Sequence, residues 1–270
     1  MAKSLVFILT CLIAISQWSG AHAQLADVPD RTKETVGALR QGNWQELEYG
    51  LNVMRVITQS GLVITAYRIS PRQFSFEVVL QKQQKGSRAQ VIGEQEGAVL
   101  AINGGFFAQT ENGALYSIGY LRQDGNVLSK GWKDSGGLIH FTEGGPELLP
   151  THGGIPQTAF DVLQTRPMII EPGSKWAMGS NLGELKHRTL LCKLKNGEMV
   201  FVLITRSGMS LYEAGWILRP EKEGGFFGCD SAVALDGGRS TQVWYSGRPE
   251  YSYAGLAPVQ NFIIVRQIED

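Results

Sequence analysis

Ser231-Ala232-Val233-Ala234-Leu235-Asp236-Gly237-Gly238-Arg239-Ser240-Thr241 begins as an apolar run of strand length and stops abruptly at an acid and two glycines. Small and aliphatic residues at both odd and even positions mean burial on both faces, so the run predicts a strand inside a covered sheet. A second stretch, Ala98-Val99-Leu100-Ala101-Ile102, stops in the same way at Asn103-Gly104-Gly105-Phe106-Phe107. In each, the polar residue falls where the strand reaches solvent or a cleft, and the glycines permit positive φ and close approach of bare N–H groups. An amide or carboxylate followed by such donors suits a polyhydroxylated or phosphorylated ligand. One loop alone reads most simply as a turn capped by its own side chain. A matched pair points to two halves of one site.

Outward from these loops the chain is rich in sheet. Val53, Leu62 to Ile69 and Phe74 to Leu80 carry the period of two and the Val, Ile and aromatic content of strands. Asp124-Gly125, Gly144-Gly145, Asn196-Gly197 and Ser246-Gly247 are turn signals of the hairpin type between alternating apolar residues. Phe262 to Val265 closes the chain as an apolar strand. Helices are few. Asp27 to Gln45 has a weak helical rhythm at Val36, Leu39 and Trp44, and Gln81 to Gln90 is a polar loop or the start of an exposed helix. Ser210-Leu211-Tyr212-Glu213 is a capping box ahead of Ala214, Trp216, Ile217 and Leu218, and a second short helix is expected from Thr158 to Gln164. Hairpin turns outnumber helices of crossover length, so the expected class is α+β: mixed or antiparallel sheets with a few packed helices in one main domain.

Lys3, the apolar run from Leu5 to Ile15 and Ala21-His22-Ala23 form the three parts of a secretory signal, so residues 1–23 are expected to be removed and the protein to be exported, to the periplasm or beyond. The run is short of the roughly 20 residues that a membrane helix needs, and no later stretch replaces it. Residues 24–90 form a lead-in helix and strands, and residues 91–270 the main domain, with 46–90 expected to join it as one compact unit. Lys3 is the only charge in the leader, so 25 basic and 25 acidic residues become 24 and 25. That balance supplies no basic field for nucleic acid. Cys192 and Cys229 remain after the leader, either as one disulfide in an oxidising compartment or as two separate thiols; neither has metal-like spacing to a second ligand.

Asn103-Gly104-Gly105-Phe106-Phe107, Gln164-Thr165-Arg166-Pro167-Met168, Arg188-Thr189, Gly208-Met209-Ser210-Leu211, Gly228-Cys229 and Leu235-Asp236-Gly237-Gly238 with Ser240-Thr241 occur in that order. The set resembles the phosphodiester glycosidase family from about residue 95 to the C-terminus. The two glycine loops carry most of that likeness, whereas Arg188-Thr189 or the Ser210 cap alone would carry none. The resemblance implies cleavage of a sugar C1–O bond in a glycosyl-1-phosphodiester, and an exported member would act on envelope or extracellular polysaccharide. No cofactor is expected from the residues.

Chemistry then distributes expected roles. A phosphomonoester leaves far more readily than an alcohol, so one carboxylate with a cation on the phosphate suffices where ordinary glycosidases need two acids. Asp236 is expected as nucleophile or as base toward water, and Arg188 as a fork on the phosphate oxygens. Asn103 and the amides of Gly104, Gly105, Gly237 and Gly238 are expected on sugar hydroxyls or phosphate, with Gln164, Ser240 and Thr241 adding hydrogen bonds. Arg206 is an alternative phosphate partner. Glu213 reads as a helix cap, while Glu111, Asp134 and Asp161 are second-carboxylate candidates without a supporting pattern. His140, His152 and His187 have no nucleophile partner in sequence. No ligand cluster for a metal is evident, although Asp236 with loop carbonyls leaves a hard cation open. Two rivals remain: a non-catalytic polysaccharide-binding module, and a phosphodiesterase that breaks P–O.

Overall fold

The computed structural model describes residues 28–81, 84–132, 135–156, 159–179, 181 and 183–269. The expected leader lies outside the described residues, as does Asp134. In chain order the elements are α1 (Asp30–Gln41), β1 (Gln45–Glu48), β2 (Leu51–Ile57), β3 (Leu62–Ile69), β4 (Phe74–Leu80), α2 (Ala89–Gln95), β5 (Leu100–Asn103), β6 (Phe107–Gln109), β7 (Leu115–Ser117), β8 (Tyr120–Gln123), β9 (Asn126–Lys130) and β10 (Gly137–Phe141). There follow β11 (Glu147–Pro150), β12 (Asp161–Thr165), β13 (Met168–Glu171), β14 (Lys175–Trp176), β15 (Lys186–Leu194), β16 (Met199–Met209), α3 (Leu211–Leu218), β17 (Cys229–Ala234), β18 (Val243–Tyr245) and β19 (Asn261–Gln267). The class is α+β and mainly sheet, as the density of hairpin turns implies.

Three sheets do the structural work. The largest has eight strands in the order β1-β2-β3-β16-β15-β17-β13-β14, a second has five (β11-β10-β12-β8-β9), and a third has four (β18-β5-β19-β4). One central core joins all three, with Val53, Tyr67, Phe201, Leu203, Val233 and Leu235 from the large sheet meeting Phe76, Ile102 and Ile263 from the four-stranded sheet and Ile139 and Leu163 from the five-stranded one. The opposite face of the large sheet carries Ile64, Val200, Val202, Ile204, Leu190 and Ala232, covered by Val36 and Leu39 of α1 and Ala214, Ile217 and Leu218 of α3. α2 covers the outer face of the four-stranded sheet through Ala89 and Ile92 against Ala101, Phe262 and Ile264. This is the physical reason for the two unbroken apolar runs. Val233 and Leu235 point to one core while Ala232 and Ala234 point to another, and Leu100 and Ile102 are split from Ala101 in the same way.

β2 and β3 extend the large sheet beside β16, and β4 pairs along its whole length with β19. α1 is tied to α3 by an ion pair from Arg31 Nη2 to Glu213 Oε2 at 2.6 Å. Glu213 closes the expected capping box, accepting from the Ser210 amide at 3.0 Å while the Ser210 hydroxyl accepts from the Glu213 amide at 3.2 Å. It is 3% exposed, and its carboxyl is fully engaged by this double duty.

Two local expectations are corrected. The stretch read as a helix from Thr158 to Gln164 contains β12 instead, and Thr158 lies outside the described residues. Val162 packs with Tyr120, Leu138 and Ala159 on one side, whereas Leu163 joins the central core on the other. A short apolar stretch buried on two sides carries no periodicity that separates strand from helix. Asp124-Gly125, Gly144-Gly145 and Asn196-Gly197 close the hairpins β8–β9, β10–β11 and β15–β16. Ser246-Gly247 does not join two strands, because the chain returns through a 3-10 turn at Pro249–Tyr251 to an isolated bridge between Val243 and Tyr253.

Cys192 of β15 and Cys229 of β17 form a disulfide with Cα atoms 5.6 Å apart, which resolves the two alternatives left by the sequence. It closes a loop of 37 residues, for which lost chain entropy in the unfolded state is about 4 kcal/mol. Replacing both cysteines by Ala is expected to lower Tm by about 10 °C while the far-ultraviolet circular dichroism stays native. An unchanged Tm would show that the bridge does not constrain the unfolded chain.

Candidate active site

Asn103 ends β5 in the four-stranded sheet, while Asp236 follows β17 in the eight-stranded one. The two glycine loops therefore meet across the core between different sheets. The Asp236 amide donates to the Gly104 carbonyl at 3.1 Å, and Asn103 Nδ2 donates to the Asp236 carbonyl at 2.7 Å. Asn103 Oδ1 accepts from the Thr189 hydroxyl at 2.8 Å and from the Gln242 amide at 3.1 Å. Its carboxamide is thus saturated by strands of both sheets, and the residue is fully buried.

This corrects the expected role of the Asn103 loop. The Gly104 amide donates to the Asn261 carbonyl at 2.9 Å and the Gly105 amide to Asn261 Oδ1 at 2.7 Å, so neither is offered to a ligand. Gly104 is required because a Cβ there would stand 2.1 Å from Asn261 Oδ1. Its lack of a side chain lets two strands approach, not a substrate. The Gly237 amide is likewise engaged, donating to Asp236 Oδ1 at 2.9 Å.

The cleft itself has a volume of about 670 Å³ and is lined by the Asp236 loop from Ala234 to Ser240, by Lys186, His187 and Arg188 at the start of β15, and by Phe106, Arg166, Leu211 and Leu256. Asp236, Arg188, Gly237, Gly238 and Ser240 are brought together as expected positions. Asn103, Gly104, Gly105, Gln164, Thr241 and Arg206 are not among the lining residues. Gln164 is 1% exposed, and its amide is committed to the backbone of residues 120, 132 and 135. Thr241 is fully buried behind the loop. Arg206 opens onto a separate concavity of about 180 Å³ with Arg55, Thr65 and Glu250.

Asp236 is the one carboxylate lining this cleft among the described residues, facing Arg166, Lys186, Arg188 and Arg239. Burial pushes its carboxyl above the ordinary Asp value, opposed by hydrogen bonds from the Ser240 side chain and the Gly237 amide. No ion pair among the described residues includes Asp236, Arg166, Arg188 or Arg239. The cations are therefore not neutralised by the acid they surround. Lys186 pairs with Glu184 at 2.6 Å on the exposed rim.

Arg188 is held by carbonyls, with Nε donating to Met209 O at 2.8 Å and Nη2 to Glu184 O at 2.6 Å. Burial weakens its hold on the proton and Glu184 works in the opposite direction. His187 contacts the Arg206 carbonyl through Nε2 at 3.0 Å and the Tyr253 hydroxyl through Nδ1 at 3.3 Å. Glu111 sits in the β6–β7 turn, and Asp161 caps the β8–β9 turn by accepting from the Asp124 amide at 2.7 Å. Neither lines the cleft. Among the described residues no group of three His, Cys, Asp or Glu converges.

Sequence reasoning missed Arg166, Lys186, His187 and Arg239 as cleft residues. Arg166 stands inside the Gln164-to-Met168 motif, where nothing in the sequence separates a cleft cation from a surface one. Arg239 is the residue between Gly238 and Ser240 in the second loop. Lys186 and His187 carried no signal of their own beyond adjacency to Arg188.

An antiparallel α+β scaffold thus carries a cleft in which one half-buried acid faces three arginines that no ion pair neutralises. The phosphodiester glycosidase family model matches residues 96–266, and the chain belongs to that family. Membership supports a hydrolase of the phosphodiester glycosidase type. No curated protein matches the chain in sequence. Among solved structures, a hypothetical protein from Synechocystis is similar with TM-score 0.63 and 15% identity over 84% of this chain, which spans 64% of that protein. The catalytic domain of zebrafish N-acetylglucosamine-1-phosphodiester alpha-N-acetylglucosaminidase, described as auto-inhibited by its pro-peptide, is similar with TM-score 0.60 and 12% identity, covering 84% of this chain and 88% of that one. At those identities the likeness is one of fold.

The raised carboxyl of Asp236 fixes a testable sign. Between the ordinary Asp value and the raised native one, the folded chain holds a proton that the unfolded chain has lost, so wild-type stability falls as pH rises through that window. Asp236→Asn, which keeps an oxygen for the Gly237 amide, is expected to melt higher than wild type at pH 7, with the gap closing as pH falls toward about 4. Melting curves over that range check it, and a variant less stable than wild type at pH 7 would contradict the burial account.

Proposed function

We propose that the protein is an exported hydrolase that breaks the sugar C1–O bond of a glycosyl-1-phosphodiester in envelope or extracellular glycoconjugates. The observation that carries the reading is the composition of the cleft, one unpaired carboxylate among four cationic side chains. A glycosidase acting on an alcohol leaving group needs an acid to protonate it, and so two carboxyls. A phosphomonoester leaves as a stabilised anion, and cations replace the missing acid.

In this reading the phosphodiester binds with its non-bridging oxygens toward the arginines. Arg188, fixed by two backbone carbonyls, presents its remaining N–H groups as a rigid charge. Asp236 acts at the anomeric carbon, as base toward water or as nucleophile. In the first form water oxygen bonds to C1, its proton passes to the carboxylate, and the C1–O bond breaks with its electron pair leaving on the phosphate. In the second, the carboxylate bonds to C1 as the C1–O bond breaks with its electron pair on the phosphate, and water later displaces the carboxylate from C1, releasing its proton to solvent. Burial of Asp236 favours both forms, because a raised carboxyl value makes the ionised group a stronger base. Ser240 and the Gly237 amide hold the carboxylate in place. Export rests on the leader sequence, and no described helix is long and apolar enough to cross a membrane.

The test is the hydrolysis of a chromogenic sugar-1-phosphodiester followed by reducing-sugar release. Asp236→Asn is expected to lower kcat by about 10³-fold with its fold intact, and Arg188→Ala by about 10²-fold. The wild-type kcat/KM should rise with pH through an acid limb above the usual Asp range, and that limb should vanish in Asp236→Asn. Full activity in folded Asp236→Asn would remove the mechanism. Hydrolysis of bis-4-nitrophenyl phosphate with no reducing sugar from any glycosyl phosphodiester would identify a phosphodiesterase instead.

A further inference from the structure

We infer that Arg166 forks onto the phosphate beside Arg188, and that Trp132 is placed to aim it. The inference rests on the reading above for the reaction, but its physical basis is separate. A bidentate fork needs two adjacent N–H groups free to point the same way. Arg188 has committed the Nε–Nη2 edge of its guanidinium to carbonyls and keeps only the Nη1–Nη2 end for a ligand. Arg166 shows no ion pair or hydrogen bond among the described residues and lines the same cleft.

An arginine on the surface ordinarily samples many rotamers. Arg166 is instead bracketed by rings: its guanidinium carbon stands 4.4 Å from the Trp132 ring centre and 5.9 Å from that of Phe106. The two rings meet edge to face with centres 6.0 Å apart. Stacking orients the planar cation through its face and leaves all five N–H donors on the edge for an anion. Lys has no plane to stack and no fork to offer.

Gln164 explains why Trp132 is there to stack. Its Oε1 accepts from the Tyr120 and Trp132 amides, both at 2.9 Å, while its Nε2 donates to the Trp132 carbonyl at 3.0 Å and the Ser135 carbonyl at 3.1 Å. A single buried amide thus holds the backbone of Trp132 at both its N–H and its carbonyl. Gly131 makes the approach feasible, having φ +69 and room for no Cβ, which would lie 2.2 Å from Gln164 Oε1. Gln164 sits on β12 two residues before Arg166, so clamp and arginine share one strand end. Gln164 is then a positioning residue for Arg166, acting through Trp132.

Inorganic phosphate, a stand-in for the phosphate of the substrate, tests this by calorimetric titration of the full chain without turnover. Arg166→Lys is expected to weaken phosphate binding by about tenfold or more while keeping the native melting curve. Trp132→Ala should weaken it severalfold with Arg166 intact, and Trp132→Phe should restore most of it. If Arg166→Lys loses its native melt, Arg166→Gln is titrated in its place. Wild-type affinity in the folded Arg166 variant overturns the assignment. Loss in that variant with wild-type affinity in Trp132→Ala overturns the aromatic positioning. Because no product is measured, phosphate binding that behaves as expected in a protein that releases no sugar would sink the proposed reaction and leave this anion site standing.

Discussion

The carboxamide of Asn103 is the point on which the site depends. It accepts from Thr189 of the large sheet and from the Gln242 amide that leads into β18, and it donates to the carbonyl of Asp236. Three hydrogen bonds from one buried group set the register between two sheets at the place where the chemistry sits. An amide suits the position because it donates and accepts at once, whereas a carboxylate there could only accept. Removing it would leave a buried hydroxyl and a buried amide without acceptors, each costing about 1 to 3 kcal/mol. The position of Asp236 is therefore an outcome of sheet packing and not of its own loop alone.

A consequence is a separation of tasks between the two similar loops. The Asn103 loop packs inward against Asn261 and Asp236, with its glycines serving close contact between strands. The Asp236 loop opens outward to the cleft. Around it, four cations arrive from three places: β15 with Lys186 and Arg188, the end of β12 with Arg166, and the loop itself with Arg239. Each is anchored differently, Arg188 by carbonyls and Arg166 by aromatic faces. Holding Arg166, Arg188 and Arg239 around one cleft with no ion pair of their own costs stability, the kind of cost that clusters at functional sites.

Much of the fold was legible because burial on two faces leaves an unbroken apolar run and hairpins leave their turn residues. β5 and β17 were read from such runs, and α3 from its capping box. β12 was not, because Val162 and Leu163 face different cores and show neither a strand's nor a helix's rhythm. At the site, Asp236 and Arg188 were legible as an acid and a base in motif positions. The inward use of Asn103 and Gln164 was not, since the sequence shows a polar residue but not whether its partners are ligand or backbone more than a hundred positions away. Arg206 was misplaced for a related reason: it lies on β16, beside the strand that carries Arg188, but opens to another concavity.

The central claim is that Asp236 directs attack to carbon and not to phosphorus. Hydrolysis of a glycosyl-1-phosphodiester in ¹⁸O-labelled water, read by the isotope shift of the product phosphate in ³¹P spectra, tests it most directly. The account predicts a phosphomonoester free of label, since water oxygen ends on the sugar. One ¹⁸O atom in the phosphate would contradict it.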